Sequence, residues 1–224
     1  FGRKSMLPLA ATTVLAGMTL MVAHLSFMDP EITNLVPVLK SYLLTLHVSV
    51  ITGSYAFLGL GAVLGIIVMV MLIFASEERR GRIADTVDQV TVMNYKTLTI
   101  GLYLLAIGTF LGAIWANKSW GRYWGWDPKE TWSLITIIVY SLVIHSRHIP
   151  GLKDVYIFNV MSVIAFLSVL MTYFGVNYYL SGMHSYAGGN SAGLPSVIYI
   201  VLTLLAGLLL ASGIRYSIAK KRAG

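Results

Sequence analysis

The stretch WANKSWGRYWGWDPKETW, residues 115–132, holds all five tryptophans of a 224-residue chain, together with two acids and three cations. Within it Trp120, Tyr123, Trp124 and Trp126 alternate with Gly121 and Gly125 beside Arg122 and Lys129. Such a run predicts a flat aromatic shelf with a cationic edge, a surface suited to a large planar apolar molecule carrying anionic groups. The rival reading is an interfacial aromatic belt, but belts spread over many helix ends, and here every tryptophan falls at one crossing. The Asp127-Pro128-Lys129-Glu130 run reads as a helix start, with Asp127 as N-cap, Pro128 at the first helical position and Glu130 reaching back in a capping box. The other groups able to do chemistry are five histidines, His24, His47, His145, His148 and His184. Cysteine is absent, so the chain supplies no disulfide, thiolate metal site or thiol nucleophile.

The elements that must position these residues follow from composition. With 57% hydrophobic and 11% charged residues and a mean hydropathy of +0.76, the chain cannot be a soluble domain. Six apolar runs, approximately 6–25, 48–75, 98–116, 131–145, 155–173 and 195–214, predict an all-α polytopic membrane bundle of about six transmembrane helices forming a single domain over 1–224. The fourth run is short unless the DPKET turn and the residues to Ile149 are counted with it. The first run follows FGRK and invites a signal-peptide reading, which its length and the lack of a small-x-small cleavage pattern oppose. The missing initiator Met suggests a piece of a longer polypeptide.

Charge sets the expected orientation. With the N-terminus inside, only Lys40, Lys118, Arg122 and Lys129 of the sixteen basic residues fall outside, as the positive-inside rule asks. The net charge of +7 is therefore mainly an orientation signal and no argument for nucleic acid. Both ends of the chain are expected in the cytoplasm, with the tryptophan segment outside between the third and fourth helices.

Placed on that topology, the histidines separate. His47 begins the second helix on the outer side, and His184, in YYLSGMHSYAGG, lies in the outer loop before the sixth. Haem is planar, apolar and edged by carboxylates, and its iron takes axial histidines, so these two could meet where the shelf lies. His24 also sits near the outer face, and position alone does not exclude it. His145 lies 18 residues after Asp127 on one helix, about 27 Å deeper, and cannot share an iron with the outer pair. A functional group and an inner-interface anchor are both open readings of His145, and snorkelling competes strongly at His148.

WGRYWGWDPKETW resembles the tryptophan-rich WWD signature of haem-handling membrane proteins. The WDPKET form with Trp132 resembles CcsA, the larger membrane partner in system II cytochrome c biogenesis. The likeness extends to LKSYLLTLHVSV, YSLVIHSRH and GMHSYAGG and so covers most of the chain. It implies a holocytochrome c synthase activity exercised with a CcsB (ResB-like) partner, fused upstream in some relatives, in the bacterial inner membrane. Haem b would be exported, presented outside and attached to an apocytochrome c bearing Cys-x-x-Cys-His. By this resemblance His47 and His184 are the external axial ligands and catalytic residues, and His145 is a ligand within the membrane paired with a partner histidine. Trp120, Arg122, Tyr123, Trp124, Trp126, Asp127 and Trp132 would contact the haem. His24 and His148 have no such counterpart. CcsA proteins commonly carry further transmembrane helices, a departure that again points to a longer precursor. Alternatives are a CcmC-like protein delivering haem to a chaperone, a bis-His electron-transfer cytochrome, which usually places both ligands within helices, and a transporter without haem. DPKET and His145 favour the first reading over CcmC.

Overall fold

The computed structural model describes residues 6–24, 40–75, 80–184 and 196–223. In chain order the helices are α1 (Leu7–His24), α2 (Tyr42–Ile73), α3 (Arg80–Trp120), α4 (Pro128–His145), α5 (Val155–Leu170), α6 (Val176–Tyr179) and α7 (Ser196–Ala223). No strand occurs among the described residues, and the chain is an all-helical membrane bundle. A single π turn, Met171–Gly175, joins α5 to α6, so the two form one rod, Val155–Tyr179. That rod, Tyr42–Ile73, Ile83–Trp120 and Ile198–Arg222 are each long and apolar enough to cross a membrane. α1 and α4, of 18 residues each, reach about 27 Å, the short end of the spanning range.

The α2–α3 hairpin is the spine, and α5 packs into it. Leu58, Leu98, Leu105, Tyr140, Phe158 and Val169 form the main core, while Leu64 and Val68 meet Val87 and Val90 in a second cluster. A polar seam crosses this apolar interior. The Asn94 amide donates to Asn159 Oδ1 (3.0 Å) and Ser162 Oγ (3.1 Å), and the Asn159 amide donates to Thr91 Oγ1 (2.7 Å). In a bilayer such bonds, with small residues that let backbones approach, replace the hydrophobic drive between helices. Gly65 does this on α2: a Cβ there would lie 2.8 Å from the Asn159 carbonyl oxygen.

α3 differs from the expected 98–116 run, because it begins at Arg80 and runs 41 residues, about 60 Å. Ile83, Val87 and Val90 recur at helical spacing and pack on α2 while Asp85, Asp88 and Gln89 face outward, so the helix is amphipathic where hydropathy alone saw a polar connection. At the far end, Asp154 caps α5 by accepting the Tyr156 N–H and also accepts from the Tyr216 hydroxyl (2.6 Å), fastening α7 to α5.

A candidate haem-ligating site at the tryptophan segment

The start of α4 has the geometry its sequence predicts. Asp127 accepts from the Lys129 N–H, Glu130 reaches back to the Asp127 N–H, and Pro128 opens the helix. Glu130 also accepts from the Gly125 N–H at 2.8 Å, which ties the WGW turn to the helix. Trp126 adopts a left-handed backbone (φ 58°), unusual for a bulky residue, and its side chain is 71% exposed.

Asp127 does more than cap. It is only 6% exposed, and its second oxygen accepts from the Met183 N–H while Oδ2 lies 2.8 Å from His184 Nδ1. One carboxylate thus joins the turn before α4 to the segment carrying His184, 57 residues later. A Cβ at Gly182 would collide with Asp127, so the segment approaches closely because that residue is glycine. Burial raises the Asp127 pKa, but the hydrogen bonds from His184 and from the Met183 and Lys129 N–H groups outweigh it and hold the carboxyl below its usual range.

His47 is fixed differently. Its Nδ1 lies 2.7 Å from the Gly108 carbonyl of α3. Its ring lies against Gly112, where a Cβ would be 2.5 Å from Cε1. Both imidazoles therefore have Nδ1 on an acceptor that can only receive a proton, which assigns the hydrogen to Nδ1 and leaves the Nε2 lone pair free. Among the described residues no hydrogen-bond partner occupies Nε2 of either ring. One face of α3 serves both histidines: Gly108 and Gly112 meet His47, and Trp115, about 4.5 Å further along the axis, meets His184 with ring centroids 6.3 Å apart. Trp120 completes the cluster, edge-on to His184 at 5.0 Å and to Trp115 at 4.7 Å.

The aromatic residues do not form one flat shelf. Trp124 and Trp126 stand at 89° with centroids 5.8 Å apart, while Trp120 turns inward to His184. Tyr123 is 60% exposed and Trp132 is half-buried on the first turn of α4. Arg122 is exposed, with its guanidinium on the Met183 sulfur, and Lys129 donates to Asn177 Oδ1 at 2.7 Å. His145 lies at the other end of α4, exposed, with Nδ1 on the Ser141 carbonyl oxygen (2.7 Å) and no path to the outer pair. His148 is exposed in the turn that follows. His24 closes α1, and its side chain lies outside the described residues. Sequence reasoning missed Trp115, Gly108 and Gly112, and the Asp127–His184 contact. The spacing of Gly108, Gly112 and Trp115 on one helical face was the available signal.

These residues fit haem: two imidazoles offer free Nε2 atoms, a glycine opens the helix beside one, and the Trp115 indole N–H is buried without an acceptor. Residues 2–184 match the family model described as cytochrome C assembly protein. The chain belongs to the cytochrome c assembly protein family. Its relatives include protein NrfI of Wolinella succinogenes, 53% identical over 190 residues, covering 85% of this chain and 21% of NrfI. The CcsA protein of Cyanophora paradoxa is 34% identical over 214 residues, covering 75% of this chain and 66% of that protein. The CcsA protein of Prochlorococcus marinus is 32% identical over 197 residues, covering 75% and 62%. This CcsA-type chain thus spans about a fifth of NrfI and less than two thirds of the CcsA proteins.

Proposed function

We propose that this CcsA-type chain receives haem b in the bacterial inner membrane, presents it at the outer face and, with a CcsB-like partner, attaches it to apocytochrome c. The observation that carries this reading is the pair His47 and His184, each with Nδ1 on an acceptor and Nε2 free, on one face of α3. His47 and His184 would hold the iron through their free Nε2 atoms, and a haem so held would be oriented for attachment. Trp120 and Trp115 would support the His184 side, and exposed Trp126, Tyr123 and Arg122 would cover and position the outward part. The charge distribution supports placing this end outside, because Arg80 and Arg82 at the start of α3, Arg147 after α4 and Lys220, Lys221 and Arg222 at the end of α7 lie at the opposite end.

The reaction needs no nucleophile from this chain. The histidine of the Cys-x-x-Cys-His segment replaces one enzyme ligand, and each thiol adds across a haem vinyl group: the sulfur bonds to one carbon and its hydrogen passes to the other. Holding the vinyl edge still beside the thiols is the chain's contribution. His145, about 27 Å away and exposed at the opposite end of α4, suits a separate ligation step shared with a histidine of the partner.

The test is coexpression with the CcsB-like partner and an apocytochrome c, followed by haem stain and absorbance spectroscopy. The expected result is a low-spin bis-His spectrum and thioether-linked cytochrome c. Haem delivered only to a chaperone would favour the CcmC-like reading, and protein without haem would end both.

A further inference from the structure

The two candidate ligands are held in unlike ways, and this bears on which of them leaves when the substrate histidine arrives. Building on the bis-His reading above, we infer that His184 is the exchangeable ligand, Asp127 the residue that positions it, and His47 the ligand that stays.

His47 lies in the second turn of α2, a helix of 32 residues. Its ring lies against α3: Nδ1 is 2.7 Å from the Gly108 carbonyl, and the ring fills the space a Cβ at Gly112 would need, with three ring atoms within 3.2 Å of that position. Moving this imidazole off an iron works against the packing of α2 on α3, which are joined below by the buried Leu58, Leu98 and Leu105. His184 follows α6 in a turn, not in a helix. Its backbone is secured through the preceding Met183 N–H, and its ring through Nδ1, both on the single side chain of Asp127. Its ring contacts are an edge contact with Trp120 (5.0 Å) and a looser, tilted one with Trp115 (6.3 Å), which a swinging ring can leave one at a time. Among the described residues, releasing His184 therefore disturbs one carboxylate and two aromatic contacts, whereas releasing His47 disturbs the helix pair. Arg122, which packs on the Met183 sulfur, and the exposed Tyr123 and Trp126 border this segment, so the incoming peptide meets the leaving side first.

The assay uses the haem-loaded chain with its partner, purified in free imidazole that is then exchanged for a peptide of sequence Ser-x-x-Ser-His, which can ligate but cannot form a thioether. In His184→Ala the peptide should restore a low-spin bis-His spectrum. In His47→Ala free imidazole should restore that spectrum and the peptide should not. Restoration by peptide in His47→Ala, alone or in both variants, or in neither, would overturn the assignment. Loss of the bis-His reading itself looks different: both single variants would keep the wild-type spectrum once the imidazole is removed and before peptide is added. Asp127→Asn retains an N-cap side chain but loses the charge on the His184 bond. It should raise the rate at which carbon monoxide displaces a ligand from ferrous haem by on the order of tenfold, with the bis-His spectrum preserved at rest. An unchanged displacement rate would remove Asp127 from the positioning role.

Discussion

Replacing Gly112 with alanine places a methyl group where the structure has an imidazole. The new Cβ would lie 2.5 Å from His47 Cε1, 2.8 Å from Nδ1 and 3.2 Å from Nε2. Carbon atoms in contact settle about 3.5–4.0 Å apart, so the ring must retreat by about 1 Å. The neighbour is a side chain on a packed helix, and that retreat breaks the 2.7 Å bond from Nδ1 to the Gly108 carbonyl. Overpacking of this kind costs about 1–3 kcal/mol, and the lost hydrogen bond about 0.5–1.5 kcal/mol. The larger consequence falls on the ligand: with its Nδ1 partner gone and its ring turned, haem affinity should fall by about 10–100-fold. Gly53→Ala is the control, since it lies on α2, the helix that carries His47, with nothing within 4 Å of the added Cβ. It should be neutral or stabilise by about 0.4–1 kcal/mol. Haem titration followed by absorbance, with thermal melts of both variants in detergent, separates the effects. If Gly112→Ala keeps wild-type haem affinity and spectrum, the close approach of α3 does not set the His47 ligand and the reasoning fails.

Three further outcomes are expected. His145→Ala, with the partner present, should lower the haem reaching His47 and His184, and added imidazole should restore part of the cytochrome c matured; full loading and maturation would end the two-step route. Asp154 titrates with a sign that can be worked out: burial raises its pKa, but the Tyr216 hydroxyl, the Tyr156 N–H and the Lys220 charge outweigh that and lower it. Its stabilising contribution is therefore complete above the ordinary carboxylate pKa near ~3.9 and is lost as pH falls through the depressed folded value. Proteolysis of α7 followed from pH 7 to pH 3 should rise below about pH 4 in the wild type, and Asp154→Asn should remove that step. Asn159→Ala leaves Thr91 and Asn94 short of a partner in the seam and should cost about 1–3 kcal/mol, read as a lower melting temperature; an unchanged melt would mean the seam adds nothing to stability.

Much of the site was legible because its signals are local. The Asp127-Pro128-Lys129-Glu130 run spells its own helix start, and the capping box is present. His47 and His184 could be assigned to one end by counting helices. What pairs across long separations was not legible: the contact makes Asp127 a support for His184 as well as a cap, and nothing in the sequence near either residue encodes their 57-residue separation as contact. The flat shelf failed for a conformational reason, since the left-handed backbone of Trp126 goes with a ring perpendicular to that of Trp124. The early start of α3 was readable in principle from Ile83, Val87 and Val90, but a hydropathy average over their polar neighbours conceals one buried face.

The seam of Asn94, Asn159 and Thr91 also has a consequence for biosynthesis. The α2–α3 hairpin leaves the ribosome before α5, carrying the Asn94 amide without the partners it will have on α5, while the Thr91 hydroxyl bonds the Val87 carbonyl of its own helix. Asn159 follows 65 residues behind Asn94, a delay of about 3–13 s at ordinary elongation rates. During that interval the hairpin is a half-built lock in lipid, and its unpaired amide is the feature that distinguishes α5, with Asn159 and Ser162 one turn apart, from every purely apolar helix that could dock there. The polar groups thereby act as an address, setting the order and the register in which the later helices join, before any haem arrives.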